Sequence, residues 1–161
     1  MRETLKLAIG SDERTPLTDF VIEELKKRGH RLSLFGPLIG EPLGWSEVGE
    51  RVALEVSQKR TDQAVVFCWT GTGVTIAANK VPGVRAALCF DAETAKGARM
   101  WDDANVLAMS LRSTSPAIAK EILDAWFSNE AITTGTDAEL IAHAKTLDAR
   151  YMRSSYRSDA G

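Results

Sequence analysis

A chain of 161 residues, 44% apolar and 26% charged, has the size and composition of one soluble domain with a proper core. Its formal net charge of −2 gives no reason to expect a nucleic acid or a membrane surface as partner, and no apolar run reaches bilayer length. The opening MRETLKLAIGSDER lacks the apolar core of a signal peptide, so the expected location is cytoplasmic.

The first expected strand is Leu5 to Ile9, followed by the turn Gly10-Ser11-Asp12. Thr15-Pro16 then reads as an N-cap and first helical residue, and Leu17, Phe20, Val21 and Leu25 keep helical spacing until Gly29. Arg31 to Phe35 is a second strand. Gly36 to Trp45 has glycines, prolines and no period, which marks a loop of functional length, and Ser46 is the expected cap of a helix striped by Val48, Val52 and Val56.

The third strand ends at Cys68 and runs into Thr70-Gly71-Thr72-Gly73 and then a helix start, Val74 to Ala78. Val84 to Leu88 is strand four, Asp91 opens a helix through Met100, and Asn105 to Met109 is strand five. Ser115-Pro116 begins a helix that faces the core with Ile118, Ile122, Leu123 and Trp126. This alternation predicts a single α/β domain: a doubly wound, Rossmann-like, five-stranded parallel sheet with strand order 2-1-3-4-5. The boundary is expected near Asn129, with residues 1–129 as the α/β domain and 130–161 as a C-terminal helix (Asp137 to Ala149) and basic tail. Leu140, Ile141, Ala144 and Leu147 share one side of that helix, a face suited to a partner subunit.

In open parallel sheets, ligands sit beyond the carboxyl ends of the strands at the switch point, here between strands one and three. Asp12 and Cys68 are expected to flank that crevice. The amides of the glycine turn and helix start favour an oxyanion or phosphate, which puts an anion hole beside a nucleophile or base. The turn lacks both the dinucleotide fingerprint and the P-loop ending, because Lys80 lies well past Gly73. Spacing alone leaves Cys68 open to two roles, a small buried hydrophobe or a reactive thiol. Cys89, which ends an apolar run with no glycines after it, reads as core. With two cysteines and two histidines in the chain, neither a disulfide framework nor a metal site is expected.

The run CWTGTGVTIAANK, followed by GVRAALCFD and DDANVLAM, together with the opening LKLAIGSD, resembles the family of ribose 5-phosphate isomerase type B and galactose 6-phosphate isomerase. The similarity runs from about Leu5 to Phe127. It implies an aldose–ketose isomerase of a small sugar phosphate, working through an enediolate with Cys68 as the base and no cofactor. Thr70, Gly71 and Gly73 are implied to supply donors for the developing oxyanion. Asp12 is implied to hold a sugar hydroxyl, against the plainer reading that an aspartate merely suits a turn.

The departures from the family pattern carry information of their own. Glu13 stands where the family has a histidine, and Gly44-Trp45-Ser46 replaces Asp-Tyr-Pro in a substrate-binding loop. Trp101 and Asp102 replace the histidine and asparagine before Asp-Ala-Asn. The histidine missing at Trp101 is implied to open a furanose ring, and an indole cannot transfer a proton in that way. Two explanations follow. Either the substrate is a tetrose phosphate such as erythrose 4-phosphate, which cannot close a furanose because O4 carries the phosphate, or proton transfer has moved to Asp102 or Glu13.

The basic tail motif is thinned to His143, Ala144 and Lys145, and the family's phosphate is implied to be gripped partly by a neighbouring subunit. Lys145, His143, Arg14 and Arg112 are the candidates, each of which also fits a solvated face. The implied assembly is a homodimer or tetramer. Two other readings remain at this point: a sugar-phosphate-binding or regulatory protein without catalysis, and an isomerase of an unphosphorylated sugar.

Overall fold

The computed structural model describes residues 3–152. Its strands are β1 (Lys6–Ser11), β2 (Arg31–Phe35), β3 (Gln63–Cys68), β4 (Ala86–Leu88) and β5 (Val106–Ser110). The helices are α1 (Pro16–Lys27), α2 (Trp45–Ser57), α3 (Thr72–Asn79), α4 (Ala92–Asp102), α5 (Pro116–Phe127) and α6 (Gly135–Tyr151). All strand pairs are parallel.

Alternation along the inner strands sorts their side chains to two faces. Leu7, Ile9, Val65, Phe67, Leu107 and Met109 meet Leu17 and Val21 of α1, Ala95 and Ala98 of α4, and Ile122, Leu123 and Trp126 of α5. Ala8, Ala64, Val66, Cys68, Val106 and Ala108 meet Val48, Val52 and Val56 of α2 and Val74 and Ala78 of α3. The second set is the smaller in volume, so α2 and α3 lie close to the sheet. Each fully buried Leu, Ile or Phe contributes about 1.5–3 kcal/mol by leaving water, and this double layer holds the strand ends in place.

The strand order is β2-β1-β3-β5-β4, which corrects the expected 2-1-3-4-5 while keeping the fold class and the switch point between β1 and β3. The reason is burial. Every residue of β5 is buried, whereas β4 has three residues and all are only half-covered. A strand covered on both faces belongs inside the sheet, and a short half-covered one belongs at its edge.

Some element boundaries also differ from expectation. The loop Gly36 to Trp45 contains a 3-10 turn at Gly36–Ile39, and α2 starts at Trp45 with Gly44 as its N-cap, so Ser46 is not the cap. Thr15, Asp91 and Ser115 do cap their helices through side-chain acceptors.

The last helix, α6, is longer than the expected Asp137 to Ala149 and buries only Ile141. It packs on α4. Lys145 Nζ meets Asp103 Oδ2 at 2.7 Å, and Asp148 Oδ2 accepts the Gly83 N–H at 2.6 Å. The end of the basic tail, residues 153–161, lies outside the described residues. Among the described residues, no helix is long and apolar enough to cross a membrane.

Candidate active site

Cys68 is the last residue of β3 and is paired in register with Ser110 of β5. Alternation turns its side chain to the α2/α3 face, where it is 4% exposed and lines a cavity of about 320 Å3. Asp12, Trp45, Trp69, Thr70, Thr72 and Gly73 complete the lining. The sulfur is therefore largely covered yet has open space beside it. Cys89, by contrast, is fully buried, and burial together with Asp91 and Asp102 pushes its thiol up to about 12, which leaves it inert at neutral pH.

The turn after Cys68 is braced by the loop that follows β5. Leu111 N–H donates to the Cys68 carbonyl at 3.0 Å, Arg112 N–H donates to the Trp69 carbonyl at 2.9 Å, and Ser110 Oγ donates to the same carbonyl at 2.9 Å. These contacts exist because β5, and not β4, neighbours β3. Gly71 follows with φ +78°, and a Cβ there would stand 2.5 Å from Leu88 Cδ1 and 3.1 Å from the Met109 carbonyl carbon. Both the backbone conformation and the packing demand glycine at this point.

Gly71 caps α3 without a side-chain bond, and apart from a long contact of Thr72 N–H to Thr70 Oγ1 at 3.5 Å this leaves the first-turn amides of α3 able to take a ligand oxygen. The Thr70 and Thr72 hydroxyls lie 2.7 Å apart and form a second polar group at the same entrance. On the opposite lip, burial raises the Asp12 carboxyl above its ordinary range; its own backbone amide works against that rise, and the neighbouring Glu13 charge adds to it.

The residues singled out from sequence fall into two groups. Asp12, Trp45, Cys68, Thr70 and Gly73 line the Cys68 cavity, with Gly71 at its turn. Arg14 and Arg112 leave loops at the same strand ends, where Arg14 Nε pairs with Asp19 Oδ1 at 2.9 Å. Trp101 and Asp102 lie elsewhere in the chain, in a cavity of about 430 Å3 under α6 that Asp137, Leu140 and Ile141 also line. Burial raises the Asp102 carboxyl. Lys145 belongs to this second patch through its pair with Asp103, and His143 is exposed on α6. Sequence reasoning missed Trp69 and Thr72 at the cavity; the alternation Thr-Gly-Thr-Gly was the available signal for Thr72.

The profile described as Ribose/Galactose Isomerase matches residues 7–144. The chain belongs to that family. It is 35% identical over 127 residues to ribose-5-P isomerase B of Listeria innocua, covering 78% of this chain and 86% of that one. It is 33% identical over 129 residues to D-erythrulose-4-phosphate isomerase of Pectobacterium atrosepticum, covering 78% and 84% respectively. Ribose-5-phosphate isomerase B of Clostridium thermocellum superposes with a TM-score of 0.83 at 35% identity, over 91% of this chain and 99% of that one.

Proposed function

We propose that this family member is an aldose–ketose isomerase of small sugar phosphates in which Cys68 moves the proton between C1 and C2. The observation that carries the reading is the cavity at the end of β3. It joins one thiol, the uncapped start of α3 and the Asp12 carboxyl around a space fit for a small ligand. In the mechanism, the Cys68 thiolate takes the hydrogen from C2 of the open-chain aldose. The electron pair moves to O1 as the enediolate forms, and the α3 amides with Thr70 hold that oxygen. The O2 hydroxyl proton passes to O1, and as the O2 electron pair closes the C2 carbonyl Cys68 returns its proton to C1 to give the ketose and regenerate the thiolate.

The substrate range is narrower than that of a pentose phosphate isomerase. The Trp101 indole N–H can donate a hydrogen bond but does not give up its proton to a ring oxygen, whereas a tetrose 4-phosphate is open-chain already. Where a ring must be opened, Asp102 is the suited acid, since burial favours its protonated form. Trp101, Asp102, His143 and Lys145 reach the cysteine of a neighbouring copy in a homo-oligomer, and Lys145 exchanges Asp103 for the substrate phosphate there.

Exchange of the substrate C2 hydrogen with solvent deuterium tests the reading. Wild-type protein is expected to exchange with erythrose 4-phosphate faster than with ribose 5-phosphate, and Cys68→Ala to lose exchange with both while keeping its circular dichroism spectrum. A wild-type protein inert toward tetrose, pentose and hexose phosphates alike overturns it.

A second reading, sugar-phosphate binding without catalysis, is favoured by Trp101 and Glu13, which stand where the family has histidines. Saturable binding by calorimetry with no exchange selects it.

A further inference from the structure

Trp45 is the first residue of α2 and remains 47% exposed, yet its ring is not free. A Cβ built at Gly73 would stand 2.9 Å from the indole atoms Cδ2 and Cε3, so the ring lies flat on the backbone of the first turn of α3. One turn further along both helices the contact repeats: a Cβ at Gly49 would meet Ala77 Cβ at 2.7 Å and the Val74 carbonyl oxygen at 2.9 Å. Residues four apart share a helix face, so Trp45 and Gly49 on α2 oppose Gly73 and Ala77 on α3 along one tight seam. The seam leaves the indole no room to retreat between the helices. It closes the seam at its outer end and stands as a wall of the Cys68 cavity.

The geometry points to Trp45, seated by Gly73, as the residue that limits how long a sugar phosphate the Cys68 cavity accepts. This deepens the isomerase reading and rests on it. The cavity, about 320 Å3, is at the small end of the range for ligand sites. Its inner wall is a strand end, and of the two indoles in the lining, Trp45 and Trp69, it is Trp45 that is wedged against the first turn of α3, so that its removal lengthens the space without touching the sheet. An aromatic face also suits the C–H side of an extended polyol chain. Gly73 is small for two reasons, then: its amide serves the ligand oxygen, and its bare Cα seats the wall.

The experiment measures kcat/KM for a tetrose, a pentose and a hexose phosphate with wild-type protein, Trp45→Ala, Trp45→Tyr and Gly73→Ala. Removing a pocket wall worth one or more carbon units changes discrimination by about 10- to 200-fold. Trp45→Ala is expected to raise the ratio of longer to shorter substrate at least about tenfold, within that range. Trp45→Tyr should fall between, and Gly73→Ala, which pushes the ring aside without deleting it, should move the ratio in the same direction. An unchanged ratio in Trp45→Ala overturns the inference, as does equal loss on all three substrates in protein that remains folded by circular dichroism. Either result leaves the isomerase reading standing. A wild-type protein inert toward all three removes both.

Discussion

Asp12 is held in a state that works against the fold. Because its folded carboxyl is harder to ionise than in the unfolded chain, whose value is 3.8, it contributes stability only in acid; that contribution disappears as pH rises through the raised value. Asp12→Asn is therefore expected to raise the urea midpoint at pH 7 while lowering kcat/KM, the pattern of a residue kept for binding. The same shift sets a pH profile. With the carboxylate accepting a sugar hydroxyl, the acid limb of kcat/KM lies above the ordinary aspartate range, and Glu13→Gln moves it to lower pH by removing the like charge. A limb unmoved in Glu13→Gln would show that another group titrates there. The cavity residues Cys68, Thr70, Gly71 and Gly73 were legible in the sequence because they are consecutive on a strand, a turn and a helix start. Trp69 was not, since nothing in its spacing distinguishes a half-exposed indole from a packed one. The Trp45–Gly73 contact was not either, because it joins residues from two helices.

The elements show where local pattern ends and packing decides. Five strands and six helices follow from alternation, caps and prolines, but the exchange of β4 and β5 needed burial on both faces, which the apolar run VLAM hinted at and AAL did not exclude. That exchange has a mechanical consequence. Met109 of β5 and Leu88 of β4 close on Gly71, so Gly71→Ala is expected to destabilise the protein by about 2–4 kcal/mol in chemical denaturation, through left-handed strain and overpacking together. At the opposite end of the sheet, Leu5 N–H donates to His30 Nδ1 at 3.2 Å and ties the α1–β2 turn to the start of β1. Burial, and after it the Arg28 charge, lowers the His30 pKa from 6.5. A depressed folded pKa means that the unfolded chain binds the proton more readily. The stability tied to keeping His30 neutral is complete above 6.5 and is lost as pH falls through the lowered value. Between pH 7 and 5, wild-type protein should lose more stability than His30→Gln, and the Leu5 amide should exchange faster with solvent.

At the scale of the whole molecule, an apolar face is left uncovered among the described residues. Leu140 is 60% exposed, Trp101 is 50% exposed, and Leu147 is exposed beside them on α6, around the patch that holds Asp102 and Lys145. Because Leu140 faces water in the single chain, Leu140→Arg costs the fold little. If a neighbouring copy covers this face and lends it to Cys68, the variant should sediment as a monomer, keep its circular dichroism and lose isomerase activity. A fully active monomer would place the whole reaction within one Cys68 cavity. The complementary test mixes two inactive chains, Cys68→Ala and Lys145→Ala, by joint refolding. In a site that spans two chains, each mixed dimer has one site with both defects and one with neither, so random pairing restores about a quarter of the wild-type rate. A site within one chain cannot be rescued this way, because every Cys68 cavity in the mixture would then lack either its thiol or its own lysine.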